Sequence, residues 1–202
     1  MLPQTVFLIR HGEVDGNILM LDRQVTTADF NAIVNRVPHE ELNARGFEQA
    51  RAVAARLHGR ELTCLYTSPL LRTRQTAGVI ADQLDIPVIV RDDLYELMPA
   101  PLNDPLDRVR TLRRAYMRSG LRLGNPFTRD TETVHHALKR IIRAFNQLTA
   151  ETRTNFGVVG HQGIFRLLFL WLHLSPTWEL AYGDTINCGV SVITRRRGHP
   201  LP

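Results

Sequence analysis

Apolar and polar positions follow two rhythms along this chain: short apolar runs of strand length and longer stretches with a helical period. Residues 6–9 form a short apolar run, read as a buried strand that ends at Arg10-His11-Gly12. Residues 13–40 sustain neither rhythm and are expected to form a long connection. From Asn43, an N-cap residue type, Phe47, Ala50, Ala54 and Leu57 recur at helical spacing up to Gly59. A second strand, over about 63–66, runs into Ser68-Pro69, which reads as the N-cap and first-turn proline of a helix. That helix carries Ala77, Ile80, Ala81 and Leu84 on one face, and 87–90 is a third short strand.

Asp104-Pro105 is expected to open another helix that runs to Gly120, with 121–130 as a loop. Val134, Leu138, Ile141, Ile142, Phe145 and Leu148 then form a single apolar stripe, the clearest helix in the chain. A fourth strand at 156–159 leads through Gly160-His161-Gln162-Gly163 into an almost wholly apolar helix, and a helix apolar all round should be buried. Residues 185–194 close the sequence as a last strand. Strands alternating with helices predict an α/β fold, a three-layer α/β/α sandwich with a mostly parallel central sheet. With no repeat, low-complexity tract or linker in view, residues 1–202 read as a single domain with rim or lid segments at about 14–40 and 97–130.

Composition narrows the function classes. The 202 residues are 44% hydrophobic and 22% charged, ordinary values that argue against general disorder. The most apolar stretch, 164–174, contains Arg166 and His173 and is too short to span a bilayer. The first residues lack a basic segment followed by a leader-type apolar core, so a cytoplasmic location is expected, with no membrane partner. Cys64 and Cys188 offer neither a disulfide framework nor a zinc site and read as small buried hydrophobes. Adjacent helical residues such as His135 and His136 point about 100° apart, so that pair does not make a metal site. The net charge of +5 is carried almost wholly by arginine, with Lys139 the single lysine. The basic run 195–197 lies at the chain end without interleaved aromatics, so no nucleic-acid partner is expected.

Ligands in open α/β sheets bind beyond the carboxyl ends of the strands. The first strand delivers Arg10 and His11 there, the second delivers Ser68 and then Arg72, the third leads to Glu96, and the fourth delivers His161. Two histidines, two arginines and a carboxylate suit a phosphate monoester. Neutral imidazole attacks phosphorus and splits hydrolysis into two displacements, arginine forks grip the non-bridging oxygens, and a carboxylic acid protonates the departing alkoxide. The helix N-termini after Ser68 and His161 would add backbone N–H donors for an anion.

These residues carry a family resemblance. Leu8-Ile9-Arg10-His11-Gly12-Glu13, followed by Asn17, resembles the arginine-histidine-glycine-glutamate signature of the histidine phosphatase superfamily, phosphoglycerate mutase-like branch. Leu42 to Ala50, Thr67 to Ala77, Val158 to Gly163 and Asn187 to Val190 resemble its further motifs in the expected order. The resemblance implies the phosphoglycerate mutase-like fold, no metal and no cofactor. It implies His11 as nucleophile, with Arg10, Arg72 and His161 clamping the transferring group and Asn17 and Gln162 beside the phosphate. Glu96 falls where the main branch places its proton donor, with Glu13 as the competing acid. The acid-phosphatase branch has aspartate directly after its second histidine, where this chain has Gln162.

The resulting expectation is an enzyme, a phosphoric monoester hydrolase acting on a small phosphorylated metabolite through phosphohistidine. Phosphoglycerate mutase-type transfer and a non-catalytic module that binds a phospho-ligand are the alternatives. The substrate and the oligomeric state are left open, a homodimer being one option.

Overall fold

The computed structural model describes residues 4–17, 21–125 and 127–196, the side chain of Asn17 excepted. Among them the chain runs through β1 (Thr5–Arg10), β2 (Gln24–Val25), α1 (Thr27–Arg36), α2 (Ala44–Leu57), β3 (Leu62–Thr67) and α3 (Leu71–Leu84). It continues through β4 (Val88–Val90), β5 (Arg110–Thr111), α4 (Leu112–Gly124) and α5 (Val134–Glu151). It ends with β6 (Asn155–Gly160), α6 (Gln162–Leu172), β7 (Trp178–Tyr182) and β8 (Val190–Arg195).

Six strands form one sheet in the order β4-β3-β6-β1-β8-β7. Neighbours among β4, β3, β6 and β1 pair in parallel, while β8 runs antiparallel to β1 and β7 antiparallel to β8. Side chains alternate between the faces of a strand, and β1 feeds both layers in this way. Val6 and Leu8 join Tyr66, Phe156 and Val158 against buried Phe145 and Leu148 of α5 and Phe165 and Leu168 of α6. Phe7 and Ile9 face the other way, with Leu65 and Val159, onto Ala50 and Val53 of α2 and Ala77 and Ile80 of α3. Helices cover both faces, so the three-layer sandwich with a mostly parallel sheet is the observed architecture.

Local chemistry accounts for several element starts. Asn43 caps α2 as expected, its Oδ1 accepting from the Gly46 N–H at 2.9 Å. Gly12 and Gly46 allow the end of β1 to touch the first turn of α2. A Cβ on Gly46 would stand 2.3 Å from the Glu13 carbonyl oxygen, and one on Gly12 would stand 2.5 Å from that of Gly46.

Five sequence expectations need correction. Residues 13–40 are not a structureless connection, because Thr26 and Asp29 form a capping box that starts α1. The helix expected from Asp104 starts at Leu112, capped by Thr111, and reaches Gly124 inside the expected loop. Asp104 instead accepts from the Leu106 N–H at 3.2 Å and pairs with Arg108 at 3.3 Å and with Arg110. Ser68 does not cap α3, whose N-cap is Leu70. The final strand begins only at Val190, and the unforeseen β7 precedes it. Finally, α6 is not buried all round, since Leu170 is 63% exposed.

The two expected rim segments fold together. β2 pairs with β5, and the Asn31 amide exchanges two hydrogen bonds with the Leu102 backbone at 2.8 and 2.9 Å. Arg110 donates to Thr27 Oγ1 at 3.0 Å. Phe30 and Val34 of α1 pack with Val25, Leu102, Leu112 and Ala115 in a core separate from the two sheet layers. We call this unit the cap.

Because the cap has its own core, Phe30→Ala should remove about 3–5 kcal/mol of stability within it. Amides of α1 and α4 should then exchange with solvent faster while β1 and β6 keep their protection. Equal acceleration throughout the sheet would contradict a separable cap.

Candidate active site

Three adjacent parallel strands end side by side, and the ladder continues one residue past each end. The His11 N–H donates to the Gly160 carbonyl at 3.0 Å, and the Ser68 N–H donates to that of Val159 at 3.1 Å. His11 after β1, Ser68 after β3 and His161 after β6 are thereby pinned at one sheet edge. Arg72 enters from the first turn of α3.

Arg72 joins the two histidines. Its Nε–H donates to His11 Nε2 at 3.3 Å, and its Nη2 lies 3.4 Å from His161 Nδ1. The imidazole centroids are 5.3 Å apart, and all three side chains are buried. His11 Nδ1 lies 2.8 Å from the Gly12 carbonyl oxygen. A carbonyl only accepts, so Nδ1 carries the proton and Nε2 keeps its lone pair. The same logic makes His161 Nδ1 the acceptor from Arg72, so His161 Nε2–H donates to Ser68 Oγ at 2.9 Å. The Ser68 hydroxyl therefore supports the second histidine, and it also accepts from the Leu70 N–H at 3.4 Å just ahead of α3.

Electrostatics favour this neutral pattern. Burial first, and then the Arg72 charge, push the His11 pKa from 6.5 down to about 3, with Arg10 adding to the effect. Burial and Arg72 likewise hold His161 well below the ordinary histidine range. Arg10 donates through Nη1 to the Thr185 carbonyl at 3.0 Å. Its buried Nε–H has no acceptor among the described residues. Leaving such a donor unpaired costs about 1–3 kcal/mol.

Glu96 meets the site from the loop after β4. Its carboxylate accepts from the Leu97 N–H at 2.8 Å, the Ile164 N–H at 3.1 Å and the Gly163 N–H at 3.2 Å. Those donors favour the ionised form, yet burial prevails and raises the Glu96 pKa. A Cβ at position 163 would stand 2.5 Å from Glu96 Oε1, so glycine is required for this approach. The first turn of α6 thus binds Glu96, whereas the sequence suggested that it would serve an anion.

These groups open on a cavity of about 840 Å³ whose walls include Arg10, His11, Arg72, Glu96, Gln162 and Gly163. The expected residues Arg10, His11, Arg72, Glu96 and Gln162 therefore come together. His161 is fully buried and meets the others through Arg72. The Gln162 amide is engaged, its Nε2 donating to the Thr185 carbonyl at 3.1 Å. Glu13 is engaged elsewhere, its Oε1 accepting from Asn43 Nδ2 at 3.1 Å. The Asn17 side chain lies outside the described residues. Among those residues no cluster of three or more His, Cys, Asp or Glu is arranged to hold a metal ion. Sequence reading missed the cap residues Arg23, Arg36, Glu40 and Tyr116, which line the same cavity.

This chain belongs to branch 1 of the histidine phosphatase superfamily, whose family model matches residues 6–201. It is similar to the probable phosphoglycerate mutase GpmB of Yersinia enterocolitica, 37% identical over 92 residues, 46% of this chain and 37% of the relative. It is also similar to the uncharacterized phosphatase PhoE of Bacillus subtilis, 33% identical over 91 residues, 45% of this chain and 41% of the relative. The matched stretch thus spans well under half of these curated relatives. In fold the chain resembles a mycobacterial glucosyl-3-phosphoglycerate phosphatase, with TM-score 0.64 and 20% identity over 94% of this chain and 90% of that one. It also resembles a putative alpha-ribazole-5'-P phosphatase of Escherichia coli, with TM-score 0.62 and 24% identity over 84% and 79% of the two chains. At these identities the structural likeness concerns the fold alone. No helix among the described residues is long and apolar enough to cross a membrane.

Suppressed protonation also affects stability. Below pH 6.5 the unfolded chain takes up a proton at His11 that the folded protein refuses until about pH 3. This contribution to stability is therefore complete above pH 6.5 and lost as pH falls toward 3, at up to about 1.4 kcal/mol per pH unit. Urea midpoints measured from pH 7 to 4 should fall less steeply for His11→Gln than for wild type. Parallel profiles would show that His11 is not held neutral.

Proposed function

We propose that this protein hydrolyses a small phosphate monoester through a phosphohistidine formed at His11 Nε2. The observation that carries the reading is the buried Arg72 guanidinium joining two neutral imidazoles beside a cavity. In the first step the Nε2 lone pair attacks phosphorus in line, the N–P bond forms and the ester P–O bond breaks. The departing oxygen takes its proton from Glu96, whose raised pKa favours the acid form. In the second step the Glu96 carboxylate takes a proton from water, the water oxygen attacks phosphorus, and the N–P bond breaks to release phosphate and free His11.

Arg72 must first release Nε2 and turn its N–H groups onto the phosphoryl oxygens, where planar forks match the geometry. Arg10 stands beside it, and an oxyanion would supply the acceptor that its Nε–H lacks. With the developing charge met by guanidinium groups the reaction needs no metal, since positioning and charge stabilisation supply most of the catalysis in phosphoryl transfer.

The tests are kinetic. His11→Ala should abolish phosphate release, and Arg72→Ala should lower kcat/KM by about 10²–10³-fold, as for loss of a preorganised charge-stabilising donor. Glu96→Gln should slow alkyl esters, which need a proton on the leaving oxygen, far more than 4-nitrophenyl phosphate, which does not. Equal slowing of both would leave Glu96 as a helix-binding residue only. Activity should survive a chelator, and product analysis with an added alcohol should find free phosphate in excess of transferred phosphate. The reverse ratio would favour a mutase.

A further inference from the structure

Residues 183–189, between β7 and β8, belong to no strand or helix and supply no reacting group, yet they grip the end of β1. The Arg10 N–H donates to the Gly189 carbonyl at 3.1 Å. The His11 carbonyl accepts from the Cys188 N–H at 3.3 Å and from Asn187 Nδ2 at 3.2 Å. A second grip falls on side chains. The Thr185 carbonyl accepts from Arg10 Nη1 at 3.0 Å and from Gln162 Nε2 at 3.1 Å. One oxygen thus restrains two of the groups that line the cavity.

That oxygen can aim a guanidinium only if its own peptide plane is fixed. In a planar trans peptide the N–H points away from the carbonyl, and no cis peptide occurs among the described residues. The N–H behind the Thr185 carbonyl belongs to Ile186, and it donates to Asp184 Oδ1 at 3.0 Å. The Asp184 carboxylate therefore holds the plane from the side opposite Arg10.

Asp184 is anchored in turn by a single hydroxyl. Its N–H donates to Ser191 Oγ at 2.8 Å, and Ser191 Oγ donates to its carbonyl at 2.9 Å. Ser191 is fully buried in β8, paired with Leu8 of β1, so the anchor belongs to the sheet. Gly189 leaves the room, since a Cβ there would stand 2.5 Å from Asp184 Oδ1. Core packing does not account for the arrangement, because Ile186 is 68% exposed and Asp184 only half-buried. Among the described residues no ion pair holds Arg10, and its side chain donates to the Thr185 carbonyl alone.

We propose that Asp184 is a positioning residue: through the Thr185–Ile186 peptide it aims the Arg10 guanidinium at the transferring phosphoryl group, with Ser191 as its anchor. With Nη1 held, the rest of the fork is set before charge develops on the phosphoryl oxygens and needs no reorganisation then. The inference deepens the proposed function and rests on it.

Two measurements test it: kcat/KM for 4-nitrophenyl phosphate, and calorimetric binding of inorganic phosphate. Asp184→Ala removes the accepting oxygen and should weaken both by about tenfold or more, as small misplacements of an aligned group do. Asp184→Asn keeps a side-chain carbonyl oxygen and should recover most of that loss. In an Arg10→Ala background the factor caused by Asp184→Ala should shrink toward one, because the two residues act through one contact. A loss in Asp184→Asn as large as in Asp184→Ala, a factor that persists without Arg10, or no loss at all overturns the inference.

The two measurements also separate this failure from failure of the phosphatase reading. Phosphate binding that depends on Asp184, in a protein that hydrolyses no phosphate ester, overturns the hydrolase alone. Turnover indifferent to Asp184 overturns the positioning role alone, and a protein that neither binds phosphate nor hydrolyses the ester overturns both.

Discussion

A guanidinium lies 3.3 Å from one buried imidazole and 3.4 Å from another, and most features of the site derive from that contact. Neither ring can accept a second proton without facing Arg72 at short range in a desolvated setting, so both stay neutral. Neutrality is the chemical requirement for a histidine nucleophile, because a protonated ring has no lone pair to offer. The Gly12 carbonyl and the Ser68 hydroxyl then select the tautomers, one nitrogen on each ring. Burying a guanidinium is itself unfavourable and lowers the Arg72 pKa, an effect that Glu40 and Glu96 partly offset. The carboxylates around the cavity thus have an electrostatic task apart from any part in proton transfer.

Sheet order makes the contact possible. With β6 between β3 and β1, residues 68, 161 and 11 emerge from neighbouring parallel strands although they are distant in sequence. Glycines then permit the close approaches on either side. Gly12 and Gly46 bring α2 against the end of β1, and Gly163 lets the Glu96 carboxylate reach the first turn of α6. A side chain at any of these positions would disturb the placement of the residues around the cavity and not merely the local packing.

The cluster of Arg10, His11, Ser68, Arg72 and His161 was legible in sequence because its parts coincide with strong local signals. Each short apolar run ends at a residue set such as Arg10-His11-Gly12, Thr67-Ser68-Pro69 or Gly160-His161, and the α/β alternation says where those ends must meet. The cap was not legible, for reasons that residues make plain. The apolar face of α1 amounts to Phe30, Ile33 and Val34, and its partners Leu102 and Leu112 are some 70 to 80 positions away by numbering; only the Thr26–Asp29 box announced the helix. Asp104-Pro105 had the look of a helix start, but Arg108 and Arg110 engage that carboxylate and the helix waits for Thr111. Ser68 likewise suited an N-cap until the third dimension supplied His161 as its partner. The Asp104 contacts lie within six residues, whereas the Ser68–His161 bond joins distant parts of the chain; both outweigh a sound local preference.

In the proposed reaction the sheet edge supplies the reacting groups, and the cap walls the rest of the cavity. The proposed chemistry stands or falls with His11 carrying the phosphoryl group between two displacements. A rapid acid-free quench of the enzyme mixed with a ³²P-labelled ester, followed by peptide mapping, tests this without an intermediate assumption. A phosphohistidine at His11 predicts an alkali-stable, acid-labile label confined to the peptide containing that residue. A label that is absent throughout turnover, or one that resides on another residue, would contradict it.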